Sequence, residues 1–357
     1  MSTIAGYRSH PRTEETIGVL LVSSGSPDSL DVADVRDFLR RLLSDRRVIE
    51  TPRALWWPIL HGIVLRTRPR DVVRKYRKIW TAQGSPLLVH SRELQANVAR
   101  ELALHTLAPF HVEVAMLYSR PSVKESLARL SDTGVQKILV LPLFPQYCAA
   151  TTAAVFDQVS AELSARRLLP ELRFVSDYST HPGYIEALAA SVREHWHRQG
   201  RTSHLLMSFH GIPEQYATEG DPYCFRAHGT ARRLATELSL RAGEWSVSFQ
   251  SRFGPAEWLK PYTSDVIAGL PTRGMNEVTV ICPGFALDCL ETLEEIAVEN
   301  RALFHAAGGS AFHYVPALNA RADHTIFLRD LIVQHCQGWL TAASFEHDAH
   351  SRIGVAA

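Results

Sequence analysis

The first apolar feature of the chain is an unbroken run at 17–22, IGVLLV, which ends in Ser23, Ser24, Gly25, Ser26 and Pro27. A short continuous run bounded by turn residues predicts a strand buried on both faces that feeds a tight loop. The stretch 32–45, VADVRDFLRRLLSD, has a helical period, with Val35, Phe38, Leu39, Leu42 and Leu43 on one side. The alternation then repeats. Residues 91–104 predict a helix, 111–118 a strand, 122–134 a helix closed by Gly134, 137–145 a buried strand and 151–167 a helix. A second cycle starts near Leu172, with strands at 173–178, 204–211, 245–253, 276–285 and 311–319. Helices over 183–199, 225–243, 263–274, 288–309 and 322–340 separate them.

Apolar strands alternating with amphipathic helices predict an α/β fold of open parallel sheets covered on both faces. At 357 residues the chain is too long for one ordinary core, and it reads as two similar units in tandem. The expected boundaries are 16–168 and 169–340, with the last helix free to pack back on the first unit. A polar, flexible tail is expected over 341–357, and residues 1–15 are expected to be loosely ordered. In such sheets ligands bind beyond the carboxyl ends of the strands. The loops after Val22, Tyr118, Leu143, Phe209, Phe249 and Cys282 should therefore face one cleft.

Composition narrows the classes. With 38 basic and 37 acidic side chains the formal charge is +1, and no basic tail or stripe stands out to suggest a nucleic-acid partner. The five cysteines, Cys148, Cys224, Cys282, Cys289 and Cys336, form no C-x-x-C pair, which argues against a disulfide framework and against a cysteine-only zinc site. The N-terminus lacks the apolar core of a signal peptide, and no segment reaches the length of a membrane span. A cytoplasmic location is the expectation.

Several residues at the predicted loop edge could carry chemistry. His210 ends a buried strand and precedes Gly211, Ile212 and Pro213, so a rigid loop holds an imidazole able to take a proton or bind a metal. Glu291, Glu295 and Glu299 recur at a spacing of four, which puts them on one face of a helix that starts just beyond another strand. Glu291 falls in its first turn, where a carboxylate could equally serve as a capping charge. Trp258 and Tyr262 could stack on a flat ligand or pack a junction. The segment 53–66, RALWWPILHGIVLR, reads as a buried helix or, if exposed, as an apolar lip for a greasy ligand or a membrane surface.

Taken together, SFHGIP at 208–213, GDPY at 220–223, FQSRFGPAEWLKPYT at 249–263 and CPGFALDCLETLEEI at 282–296 closely resemble the ferrochelatases, especially those of Gram-negative bacteria. GVLLVSSGSPDS near the start, YRKIWTAQGSPLL at 76–88 and LPLFPQYCAATTAAVFD at 141–157 agree. The resemblance implies two Rossmann-like, chelatase-type domains with a porphyrin cleft between them. It implies insertion of Fe(II), as substrate, into protoporphyrin IX. His210 and Glu291 would match the metal-site histidine and glutamate, and Glu295 and Glu299 would extend an acidic track on a locally π-helical segment. Ser24, Arg68, Tyr76, Ser85, Tyr118 and Tyr147 would line or anchor the porphyrin side. Leu117 stands where many members have arginine. Some members bind an iron–sulfur cluster, but only Cys148 and Cys336 fall in the corresponding regions, so no cluster is expected. Peripheral membrane contact is conceivable for so greasy a substrate, and the oligomeric state is open.

Competing readings are a chelatase for another metal or tetrapyrrole, such as cobalt or coproporphyrin, and a non-catalytic porphyrin or haem carrier. A nucleotide-binding oxidoreductase ranks below them, because no G-x-G-x-x-G follows the first strand.

Overall fold

A computed structural model describes residues 16–340 and Ser344. The expectations for 1–15 and for the rest of the tail therefore lie outside the described residues. Ser344 offers its carbonyl to Leu107 N at 2.8 Å and to Thr106 Oγ1 at 2.9 Å.

Among the described residues, eight parallel strands form two four-stranded sheets. The first contains β1 (Ile17–Ser23), β2 (Phe110–Met116), β3 (Lys137–Pro142) and β4 (Glu171–Phe174), in the order β2-β1-β3-β4. The second contains β5 (Leu205–His210), β6 (Trp245–Gln250), β7 (Glu277–Ile281) and β8 (Ala311–Val315), in the order β6-β5-β7-β8. The two orders are the same, so the units are topological repeats. In each, the chain crosses over beside its first strand, which places a switch-point crevice between β1 and β3, and between β5 and β7.

The helices of the first unit are α1 (Val32–Leu43), α2 (Arg53–Ile59), α3 (Leu65–Arg77), α4 (Pro86–His105), α5 (Val123–Asp132) and α6 (Ala154–Ser164). Those of the second are α7 (Pro182–Gln199), α8 (Glu214–Thr218), α9 (Tyr223–Glu237), α10 (Thr263–Gly269), α11 (Arg301–Ala306) and α12 (Ala322–His335). Three π-helical stretches interrupt them: π1 (Leu60–Val64), π2 (Ala149–Ala153) and π3 (Glu291–Asn300). Pro58 and Pro69 flank π1 from inside α2 and α3, and each removes a backbone donor from the ladder.

Side-chain alternation along the strands builds three cores. Ile17, Val19 and Leu21 of β1 point into a central core that also takes Leu205, Met207 and Phe209 of β5. Leu20 and Val22 face α1, α3, α5 and α6 in a second core, while Leu206, Val278 and Val280 face Ile267, Ile296 and Phe304 in a third. Because the central core belongs to both sheets, the two units share apolar packing. Helix α12 contacts both α4 and α7.

The boundary expected at 168/169 needs correction. β4 pairs with β3 in parallel register, Lys137 with Glu171 through Val140 with Phe174, so it closes the first sheet rather than opening the second. Strand periodicity does not say which sheet a strand joins. The change of sheet falls between Phe174 and Leu205.

Candidate active site

His210 and the helix that bears Glu291 flank the β5/β7 switch point, as the strand order requires. His210 is the last residue of β5 and pairs in register with Gln250 of β6. Its Nδ1 lies 2.6 Å from the carbonyl oxygen of Gly211. A carbonyl can only accept, so Nδ1 carries the hydrogen, and the neutral ring keeps its lone pair on Nε2. Trp258 and Phe285 lie beside the ring, with centroids at 6.3 and 6.4 Å. Gly211 permits this turn. A Cβ there would come within 3.0 Å of the Gln250 carbonyl and 3.1 Å of the Trp258 ring.

Glu295 reaches the same place from π3. Its carboxylate accepts from Ser251 N at 2.7 Å and from Ser251 Oγ at 2.5 Å. Burial pushes this carboxyl above the usual range. The Ser251 bonds and the imidazolium form of His210 pull it down, and Glu291 pushes it up again. Glu291 sits one turn earlier, and its backbone carbonyl accepts from Gln250 Nε2 at 2.8 Å. Tyr76 approaches Glu291 from α3. It is fully buried, and burial, followed by the charge of Glu291, drives its hydroxyl well above the ordinary tyrosine range. The Cys289 thiol is likewise pushed well up, by burial first and by Glu291 second.

Sequence reasoning missed Gln250 and Ser251. Gln250 is buried and accepts from Ser208 Oγ at 2.7 Å while donating to Glu291, so it ties β5 to π3. Ser251 holds Glu295 from a left-handed backbone, φ +67°. No periodic signal marks either residue. Their position at the end of β6, opposite His210, was the clue available.

The acidic row does not run as spaced. Glu299 is paired with Lys75 Nζ at 2.8 Å, and the carboxylate that turns inward is Glu294, 2.7 Å from Lys78 Nζ. Residues 291–300 are wholly π-helical, where a spacing of four still stays close to one line, so the three carboxylates part by the partners they meet rather than by the helix period.

The porphyrin-side residues divide. Arg68 stacks its guanidinium 4.0 Å over the ring of Phe253, across to the second unit. Ser85 is buried at the start of α4 with no partner on its hydroxyl. Tyr147 is half-buried, and its backbone N–H donates to Asp177 at 2.9 Å. Ser24 is half-buried at the end of β1 and accepts through its carbonyl from Tyr118 N at 3.0 Å. Tyr118 differs from expectation. It is buried, and its hydroxyl donates to Asp45 at 2.9 Å, so the oxygen is engaged within its own unit. Leu117 is packed in the same core. The segment 53–66 resolves as the exposed alternative. Leu55, Trp57, Ile59 and Ile63 face outward, while Trp56 alone of the two tryptophans is buried, donating to Leu43 O at 2.7 Å. Tyr262 lies under Arg252, 4.8 Å from its guanidinium to the ring centre, whereas Trp258 stands next to His210.

His210 and Glu291 thus lie within electrostatic reach of the buried Glu295 carboxyl at one sheet edge, although among the described residues no three His, Cys, Asp or Glu side chains are gathered closely enough to hold a metal ion. Residues 16–336 match the family model of the ferrochelatases. The chain is 49% identical over 342 residues to a ferrochelatase of Thioalkalivibrio sulfidiphilus, covering 96% of this chain and 92% of that one. It is 50% identical over 315 residues to one of Aeromonas hydrophila, covering 88% and 97% respectively. Among solved structures it resembles SirB from Bacillus subtilis with Fe3+, with a TM-score of 0.53 at 11% identity over 92% of this chain and 99% of that one, a likeness of fold. The full-length match in sequence, on a two-sheet chelatase architecture with His210 and the glutamate helix at its switch point, places this chain in the ferrochelatase family.

Proposed function

We propose that this chain inserts ferrous iron into protoporphyrin IX with His210, Glu291 and Glu295 as its reacting groups. The observation that supports it is the electrostatic contact of the buried Glu295 carboxyl with both His210 and Glu291 beside the second sheet's switch point. The reaction exchanges two pyrrole N–H protons for one Fe(II), so the site must take up two protons and pass one cation. Nε2 of His210, left with a lone pair by the Gly211 bond, accepts one proton. Glu291 and Glu295 supply carboxylate oxygens that hold the cation and take the second proton. Imidazole and carboxylate bind ferrous iron weakly enough to release it, where a thiolate cluster would retain it. Binding energy from the rest of the ring can hold the macrocycle bent, which turns its nitrogen lone pairs out of the ring plane. Arg68, Tyr76, Ser85 and Tyr147 support a ring-anchoring role by their placement, with Ser24 at the first sheet's loop edge.

The cysteines favour a chain without an iron–sulfur cluster. Cys148 points its thiol at Asp221, 3.5 Å away, and is pushed well up by burial and by that carboxylate. Burial also pushes Cys336 up to about 12.

Peripheral membrane contact at the α2–π1 face is supported by its exposed apolar side chains and by local charge. Residues 32–78 hold thirteen basic side chains against five acidic ones, an excess that the chain's total of +1 conceals. No helix among the described residues is long and apolar enough to cross a membrane. A cytoplasmic site of action fits these features.

An anaerobic assay with protoporphyrin and ferrous iron, run beside His210→Ala, tests the assignment. Rapid loss of free-base fluorescence that disappears in the folded variant is the expected result. Porphyrin binding without insertion would point instead to a carrier or to a chelatase for a different ring.

A further inference from the structure

Glu294 has no part in the reaction above, yet it is 1% exposed in the middle of the metal-site helix. Burying a carboxylate is costly unless it is paired. Its partners come from the other unit. Lys78 Nζ donates to Oε1 at 2.7 Å, while Lys75 Nζ, which hydrogen-bonds Glu299 at 2.8 Å, lies 3.4 Å from Oε2 as an ion pair without a hydrogen bond to it. Burial lowers the proton affinity of the Lys75 ammonium, but Glu299 and Glu294 outweigh it. Tyr76, between the two lysines in sequence, rests beside Glu291. One stretch of α3 therefore touches π3 at three of its acidic residues.

The form of this contact is informative. The lysine side chains are 44% and 51% exposed, so the pairs are screened and contribute little net stability beside an apolar contact of the same size. What paired charges supply is a single geometry, because a shift of the helix strands a buried charge. An apolar contact would tolerate such a shift. In a helix closed by i→i+5 bonds a turn holds more than four residues. Glu291 and Glu295, four apart, stay close to one line, whereas Glu294 turns to another side. Fixing Glu294 against α3 therefore fixes the roll at which the other two meet His210.

We infer that Glu294, gripped by Lys75 and Lys78, is a positioning residue that sets the roll of π3 and so the placement of Glu291 and Glu295 opposite His210. The inference rests on the reading of those three residues as the reacting groups.

The test uses the full chain. Metal insertion is measured with protoporphyrin and Zn(II) or anaerobic Fe(II) for wild type, Glu294→Gln, Lys78→Met, Lys78→Arg and His210→Ala, and porphyrin affinity is measured separately by fluorescence. Misplacement by about an ångström costs on the order of 10- to 100-fold in rate. Glu294→Gln and Lys78→Met should lose kcat on that scale and raise the KM for metal, with porphyrin affinity within about twofold of wild type. Combining them should add little to either alone, since both remove one interaction. Lys78→Arg should restore most of the activity. Should Glu294→Gln not fold, Lys78→Met carries the test, because its side chain is half in water and Lys75 remains on Glu294. Wild-type kcat and metal KM in Glu294→Gln and Lys78→Met beside an inactive His210→Ala would overturn the clamp alone. Full activity in His210→Ala would bring down the site reading and the clamp with it. Loss of porphyrin affinity with no rescue by arginine would show a general structural role and would also overturn it.

Discussion

His210 stands at the sheet edge because its neighbour has no side chain. Gly211 lets the β5–α8 loop press against Gln250 and Trp258, and its carbonyl fixes the imidazole by the nitrogen that faces away from the reaction. Removing the ring in His210→Ala should lower insertion by at least about 100-fold, the usual scale for a lost general base, with the thermal midpoint nearly unchanged. Glu291→Gln should lose most activity and keep porphyrin affinity, which equilibrium fluorescence titration checks directly. Glu295 yields a prediction of a different kind. Burial raises its pKa above the unfolded value, so the folded chain holds that proton more tightly than the unfolded chain does. The associated stability is present below the unfolded pKa, about 4.3, and is lost as pH rises through the folded one. At neutral pH Glu295→Gln should therefore melt higher than wild type while inserting metal poorly. The gap should close towards about pH 4, and melting curves across that range would expose a wrong sign.

At the scale of elements, three stretches among the described residues depart from α geometry, and π3 is the one at the candidate site. In π3 side chains tie the widened ladder, Gln250 Nε2 from β6 on Glu291 O and Asn300 Nδ2 from the helix's own end on Glu295 O at 2.7 Å. These side-chain bonds support a form that propensity alone would not select. Helix α12 carries a different load. His324 in its first turn is fully buried, Nδ1 bonding Asn319 O at 2.7 Å, and burial lowers it to about 4. Its neutral form is the folded form. The contribution is thus complete above roughly pH 6.5, the unfolded value, and is lost as pH falls towards about 4, on the order of 3 kcal/mol in all. His324→Gln should flatten the acid side of the stability profile, as read from urea midpoints at pH 7 and pH 5. An equally steep decline in the variant would assign acid sensitivity elsewhere.

Over the whole molecule, the two sheets share a central core and are joined by Arg68 on Phe253, Gln146 on Pro283 O at 3.1 Å, and the lysines on Glu294. The α2–π1 segment carries a run of exposed apolar side chains, Leu55, Trp57, Ile59 and Ile63. Trp57 and Ile63 are 49% and 60% exposed, so truncating them removes little packing. Trp57→Ala and Ile63→Asp should shift stability by no more than about 0.5 kcal/mol. They should weaken porphyrin binding severalfold, and also reduce co-sedimentation with anionic vesicles if that face meets a membrane. Unchanged porphyrin affinity in both would remove the lip from the substrate site.

Much of this was legible along the chain. Continuous apolar strands, helical periods and turn residues specify the α/β alternation, because burial on two faces, burial on one and backbone turning each leave a local pattern. His210 and Glu291 were readable for the same reason: a strand end and a helix start are sequence features, and the strand-end rule turns them into a site. Tertiary structure decided what depends on partners distant in sequence. Sheet membership of β4 is a pairing choice that periodicity does not encode. Tyr118 shows its hydroxyl engaged only once Asp45 is beside it. The row Glu291, Glu295, Glu299 parts by its partners, Ser251 holding Glu295 and Lys75 holding Glu299, while Lys78 draws in the neighbouring Glu294. Gln250 and Ser251 acquired their roles when β6 was laid against β5. Local pattern determines elements and their edges, while the direction in which a side chain points from those edges is set by the charges and hydrogen bonds that meet it there.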